Sequence, residues 1–212
     1  MGLSILHKVL RYSYPVSSFH CLNNLLDKVC EGCYSHSIML ANHTDILRRK
    51  GDIMKLHTPN MTEQRLLDAY AVAPTIEGRH TYAWDKLREE THKLFAALPT
   101  DLRVRFVSGQ PYETAHALHN VYHTRHLLIS TDFNFHPLWD EDTNLRFRAV
   151  HDYYGHVLTG FDFTLEGELS AYHACARLHT DSAKHALFTE VHVQALWHEV
   201  YGEFPIQKVV LL

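Results

Sequence analysis

The 212-residue sequence has no long apolar run: a membrane-spanning helix takes about 20 consecutive apolar residues, and no stretch comes close. Cysteine is scarce. The four present, Cys21, Cys30, Cys33 and Cys175, are too few to staple a disulfide scaffold and point to a reducing, intracellular setting. The opening segment MGLSILHKVLRYSY lacks both a sustained apolar core and a small-residue cleavage signature, so no secretory leader is expected. Leu6 stands where an N-myristoylation pattern needs Ser or Thr. Positive charge is also not in excess: 20 Lys and Arg against 24 Asp and Glu give a formal charge of -4. That balance disfavours a protein that holds nucleic acid chiefly by neutralising phosphates, while leaving room for a local basic patch. The expected partner is a small-molecule substrate, and the expected compartment is the cytoplasm. Repeats and low-complexity tracts are missing as well, and 46% hydrophobic with 21% charged residues is the balance of a soluble globular chain.

What the sequence has in excess is histidine, 19 in all. Imidazole is the commonest protein ligand for transition metals. A lone histidine on a helix face is ordinary, so only histidines with matching partners carry weight.

The chain divides by pattern. Residues 1–58, rich in Leu, Ser, His and Cys and ending near the charged run Arg48-Arg49-Lys50-Gly51-Asp52, are expected to be an N-terminal extension. Residues 59–212 are expected to be a helical metal-binding domain with a small sheet, an α+β fold that is mostly α. Asn60 and Glu63 have capping-box spacing ahead of Leu66, Leu67 and Tyr70. A second helix runs from about Thr81 to Leu98, stopped by Pro99. Arg103–Val107 and Leu127–Ser130 look like strands, with a helix from Pro111 to Tyr122 between them. Asp142 or Thr143 can cap a helix through Val157, Gly160 separates it from one starting near Thr164, and Asp181 or Ser182 opens a last long helix to about Gly202. The apolar tail Ile206–Leu212 reads as a final strand.

The chemistry concentrates in 142–194. His151 and His156 lie five residues apart, about 140° around an ideal α-helix, so they reach one metal only if the backbone departs from that geometry near the second. Gly155 supplies the freedom for it. Glu190, within the apolar run of the last helix, is the expected third ligand, and two His with one carboxylate leave open positions on a non-haem Fe(II). Asp152 and Gln194 are expected to orient the imidazoles or bound water. Glu168 and His173 are either orienting groups or additional ligands. A di-iron site would need a repeated Glu-x-x-His, which is missing here, so one metal is expected.

His151-Asp152-Tyr153-Tyr154-Gly155-His156, followed by Phe188-Thr189-Glu190, resembles the metal motif of the pterin-dependent aromatic amino acid hydroxylases. That family holds catalytic iron with a His-Glu-x-x-Gly-His segment and a later Glu in a predominantly helical domain. Asp152 stands where the family has Glu. The resemblance covers roughly 151–190 and implies an Fe(II)-dependent oxygenase or hydroxylase with a pterin or oxoacid co-substrate. The stretch 144–194 also resembles an uncharacterised group of phage and bacterial proteins, which implies a bacterial or phage-infected host and no activity.

The alternatives are a zinc-dependent hydrolase, in which Glu168 or Asp152 is the general base, and a structural or interaction protein whose metal only adds stability. His116, His119, His123 and His126 recur at helical spacing without a carboxylate on the same stripe and are expected to form a polar face. Cys30-x-x-Cys33, near Cys21 and His36, lacks the second pair a zinc knuckle needs. The turn Asn134–Trp139 either walls a pocket faced by Tyr153 and Tyr154 or packs under the domain.

Overall fold

The computed structural model describes residues 57–212 apart from Phe133. The Cys30-x-x-Cys33 pair, with Cys21 and His36, and nearly all of the expected extension 1–58 lie outside the described residues. What is described is mostly helical with one two-stranded parallel sheet, as the pattern implies.

The first helix, α1 (Met61–Val72), begins with the capping box expected of Asn60 and Glu63. The Asn60 side chain accepts from the Thr62 and Glu63 amides at 2.9 and 3.0 Å, and Glu63 accepts from the Asn60 amide at 2.8 Å. Ala73, just before Pro74, turns extended and ends the helix. Helix α2 (Thr81–Ala96) buries Ala83, Trp84, Leu87 and Thr91, the i, i+3, i+4 face of an amphipathic helix.

Strands β1 (Arg103–Val107) and β2 (His126–Ser130) pair in parallel, with Arg103 opposite His126 and Val107 opposite Ser130. Parallel strands need a crossover connection. Two short helices supply it, α3 (Ala115–His119) and α4 (Val121–Thr124), where one helix over 111–122 was expected. The run breaks at Asn120, which ends α3 and precedes α4, while Thr114 caps α3 by accepting from the Ala117 amide. His116 and His119 lie on α3, His123 on α4 and His126 on β2; His116, His123 and His126 are exposed and His119 is half-buried.

Helix α5 (Glu141–Val150), capped by Asp140 accepting from the Thr143 amide at 2.7 Å, runs on without a break into a π-helical turn over His151–Val157. Helix α6 (Leu165–Ala176) starts at the Thr164 cap. The last helix is also continuous: α7 (Asp181–Phe188), a second π-helical turn (Thr189–Val193) and α8 (Gln194–Tyr201), closed by Gly202 at φ 76°. No helix among the described residues is long and apolar enough to cross a membrane.

The tail differs from the expected strand. Only Val209 forms a β-bridge, with Ile76. Side chains hold the rest: Tyr70 donates to the Ile206 carbonyl at 2.9 Å, Trp84 to Val210 at 3.1 Å, and the Lys208 ammonium to the carbonyls of Tyr70, Ala71 and Ala73. Lys208 thus adds a donor to carbonyls at the end of α1, where helical N–H partners run out.

The helix 141–157 lies between two apolar clusters. Phe147 packs with Trp84, Leu87, Trp139 and Leu187, while Ala149, Tyr153 and Val157 pack with Leu118, Leu127, Ile129 and Phe163. Its π-helical turn packs on α6, the element that completes the polar centre described next.

Candidate metal centre

The π-helical turn solves the angular problem posed by His151 and His156. Hydrogen bonds from i+5 to i, such as Leu158 N–H to the Tyr153 carbonyl at 3.0 Å, widen the helix so that residues five apart share a face. The two Nε2 atoms consequently lie 3.0 Å apart. Gly155 contributes differently from the expected backbone freedom. A Cβ there would lie 3.2 Å from Ala171 Cβ and 3.4 Å from Cys175 Sγ, so the missing side chain lets α6 approach closely.

That approach delivers Glu168. Its Oε2 lies 3.3 Å from His151 Nε2 and 3.4 Å from His156 Nε2, and all three residues are buried. The three atoms form a nearly equilateral triangle. A point equidistant from them lies about 1.9 Å from each in their plane, so an ion at metal–ligand distances of ~2.0–2.2 Å fits slightly to one side. Such an ion has all its protein ligands on one flank. His156 Nδ1 donates to the Phe161 carbonyl at 3.0 Å, so in the neutral imidazole the lone pair is on Nε2, the tautomer a ligand needs. The same carbonyl accepts from His119 Nε2 at 2.9 Å.

The carboxylate of this triangle is held in its charged form. Burial alone would raise the Glu168 carboxyl, but the charge of His156 and hydrogen bonds from His151 and His156 hold it down to about 2. Burial pulls His151 below its ordinary value. It pulls on His156 too, yet the charge of Glu168 and its hydrogen bond leave that imidazole raised. The buried formal charges among the described residues are Arg148, Asp152, Glu168 and Glu190. Glu190 can shed its charge, because burial pushes it up to about 8 against the pull of Arg148 and the Gln194 hydrogen bond. Arg148 then offsets one of the two remaining carboxylates. The other must be met by an imidazolium or a bound cation, since an uncompensated buried charge is costly.

The expected ligand Glu190 does not join this group of three. It sits on the second π-helical turn, where Oε2 accepts from Gln194 at 2.6 Å and Oε1 from Gln207 at 2.9 Å. Gln194 therefore serves Glu190 rather than the imidazoles. Glu168, expected as either base or additional ligand, is the carboxylate beside His151 and His156. A signal for it exists in the sequence. Glu168, Ala171 and Cys175 follow i, i+3, i+7 spacing along α6, so Glu168 shares that helix's apolar face, whereas neighbouring Glu166 does not. Asp152 is buried beside the group, its charge acting on His156 and Arg148. His173 is exposed and lies outside the group, its ring against Tyr172.

The turn at 134–141 does wall a pocket, about 460 Å³ and lined by Asn134, Phe135, His136, Trp139, Asp140 and Glu141. Tyr153 and Tyr154 do not line it; both pack in the interior cluster. His136 organises the turn: its Nδ1 accepts from the Leu138 and Trp139 amides at 3.2 and 3.0 Å, and its ring stacks on Trp139 at 4.2 Å. Burial pushes His136 down to about 3. Between pH 6.5 and 3 the unfolded chain therefore binds a proton that the folded chain refuses, and stability falls as pH drops through that window. By urea unfolding, moving from pH 7 to pH 4.5 should cost the wild type about 2–3 kcal/mol more than His136→Asn, which keeps an acceptor but cannot titrate. Equal losses in the two proteins would refute this role.

Comparison with known protein families, characterised proteins and solved structures finds no match to this chain.

Proposed function

We propose that this chain is a mononuclear non-haem Fe(II) protein of the oxygenase or hydroxylase class, with His151, His156 and Glu168 as its metal ligands. The observation that carries this reading is the triangle of Nε2, Nε2 and Oε2 atoms with sides of 3.0, 3.3 and 3.4 Å. Two imidazoles and one carboxylate on one flank leave the opposite flank open, the arrangement used by non-haem Fe(II) oxygenases. Bound there, Fe(II) would supply dioxygen chemistry toward a small-molecule substrate, with a pterin or oxoacid as the source of electrons.

The chain's own residues hold and shield this centre. The Phe161 carbonyl fixes the His156 tautomer, and Glu168 is kept ionised. The ring of Phe147 lies near-parallel to His151 with centroids 6.5 Å apart, Phe163 meets His156 edge-on at 5.1 Å, and both imidazoles are buried. The likeness of the His151–His156 segment to the pterin-dependent hydroxylases supports the same reading, with the carboxylate taken twelve residues after His156 in place of Glu190.

Zinc can occupy such a site in purified protein whatever the native metal is, because binding strengthens along the Irving–Williams order. The test is therefore spectroscopic. Protein loaded anaerobically with Fe(II) is expected to take about one equivalent and to give a high-spin signal with nitric oxide, a dioxygen surrogate that needs an open position. An Fe(II) form without that signal, beside a zinc form that hydrolyses an ester in the absence of oxygen, would replace this reading with the hydrolase one. Asp152 would then be the candidate base.

A further inference from the structure

The Phe161 carbonyl accepts two hydrogen bonds, one from His156 Nδ1 at 3.0 Å and one from His119 Nε2 at 2.9 Å. A carbonyl oxygen has two lone pairs, enough for both donors. Phe161 stands in the stretch 158–162, which is exposed and turns at Gly160 with φ 76°. The other hydrogen bonds of that stretch stay between residues 153 and 164. Leu158 and Gly160 N–H donate to the Tyr153 and His156 carbonyls, the Thr159 hydroxyl to the Gly155 carbonyl, Phe161 N–H to the Thr159 hydroxyl, and Thr164 to Asp162. Among the described residues, the bond from His119 is therefore the hydrogen bond that ties this exposed stretch to a distant part of the chain, 42 residues away in sequence. His119 is itself held. It lies on α3, which packs on the π-helical turn, and its neighbour Leu118 is fully buried with Tyr153, Val157 and Phe163.

We propose that His119 is a positioning residue for the metal ligand His156, acting through the Phe161 carbonyl that both imidazoles share. The word ligand rests on the metal reading above; the hold on the His156 ring rests on the two hydrogen bonds alone. An imidazole turns about a soft terminal torsion, so its direction is set by what its nitrogens meet. The partner on the far nitrogen of a metal-bound histidine fixes both ring orientation and tautomer. Here that partner belongs to an exposed stretch, where water competes for the carbonyl. His119 carries the order of the packed interior to it. It supplies no ligand and touches no metal.

Zn(II) affinity of the full chain, read by competition with a chelator, tests this. His119→Ala is expected to weaken binding about 10-fold or more, as does His119→Phe, which keeps a ring but no donor. His119→Gln, whose side-chain amide still donates, should stay within about threefold of the wild type. His116→Gln, at an exposed position on the same helix, is the control and should change nothing. A second readout needs no metal: the His156 Nδ1 proton, followed by nuclear magnetic resonance in protein made with isotope-labelled histidine. Its exchange with water should speed up about 10-fold in His119→Ala and His119→Phe and return to the wild-type rate in His119→Gln. If His119→Ala and His119→Phe match the wild type in both readouts, or if His119→Gln loses as much as they do, the proposal is wrong. Weaker Zn(II) binding beside an unchanged His156 proton would also overturn it, because the loss would not run through the shared carbonyl. A wild type that binds neither Zn(II) nor Fe(II), while its His156 proton still responds to His119→Ala, would overturn the metal reading and leave the hold of His119 on His156 standing.

Discussion

Replacing Glu168 with alanine is expected to reduce bound Fe(II) from about one equivalent to below about a tenth of one, because the loss of one of three protein ligands destroys the chelate. His151→Ala and His156→Ala should do the same. Glu190→Gln should not, since the two oxygens of Glu190 are engaged by Gln194 and Gln207 outside the triangle. This contrast has the largest expected effect and separates two carboxylates that the sequence alone ranks in the opposite order. Anaerobic dialysis against micromolar Fe(II), with far-ultraviolet circular dichroism to confirm folding, reads it directly. Full occupancy in Glu168→Ala with loss in Glu190→Gln would restore Glu190 as the ligand.

The second large effect is on stability. Trp84 is fully buried, its ring 5.5 Å from Trp139 and 5.2 Å from His136, and its indole N–H donates to the Val210 carbonyl. Trp84→Ala removes this packing, opens a cavity and takes away the donor that holds Val210 in the tail. A loss of about 3–5 kcal/mol is expected from urea unfolding. Tyr82, on the same helix but 62% exposed, is the control, and Tyr82→Ala should stay within about 0.5 kcal/mol. Similar losses at the two positions would mean that Trp84 does not anchor this core.

Much of the fold is legible because local rules act alone in several places. The Asn60–Glu63 capping box, the Pro74 and Pro99 stops, both strands and the unbroken helix from Asp181 to Tyr201 follow from short patterns. The departures have nonlocal causes. One helix over 111–122 becomes two that meet at Asn120, and Ile206–Leu212 bridges only at Val209, the rest of it held by side-chain hydrogen bonds from Tyr70, Trp84 and its own Lys208. At the site, the His151–His156 pair is visible from its spacing, but the π-helical turn that aligns it is not, since no residue type marks such a turn. Gly155 is visible as a glycine, while its use, the close approach of α6, depends on Ala171 and Cys175 across the interface. Glu168 was legible only in part. Its periodicity places it on the apolar face of α6, but the resemblance to a later Glu in a hydroxylase motif draws attention to Glu190.

The most direct measurement is anomalous diffraction at the iron edge from crystals grown anaerobically with Fe(II). One peak is predicted, within ~2.0–2.3 Å of His151 Nε2, His156 Nε2 and a Glu168 carboxylate oxygen. A peak at Glu190, a peak only at surface histidines such as His116 or His123, or no peak from Fe(II)-soaked crystals would contradict the account.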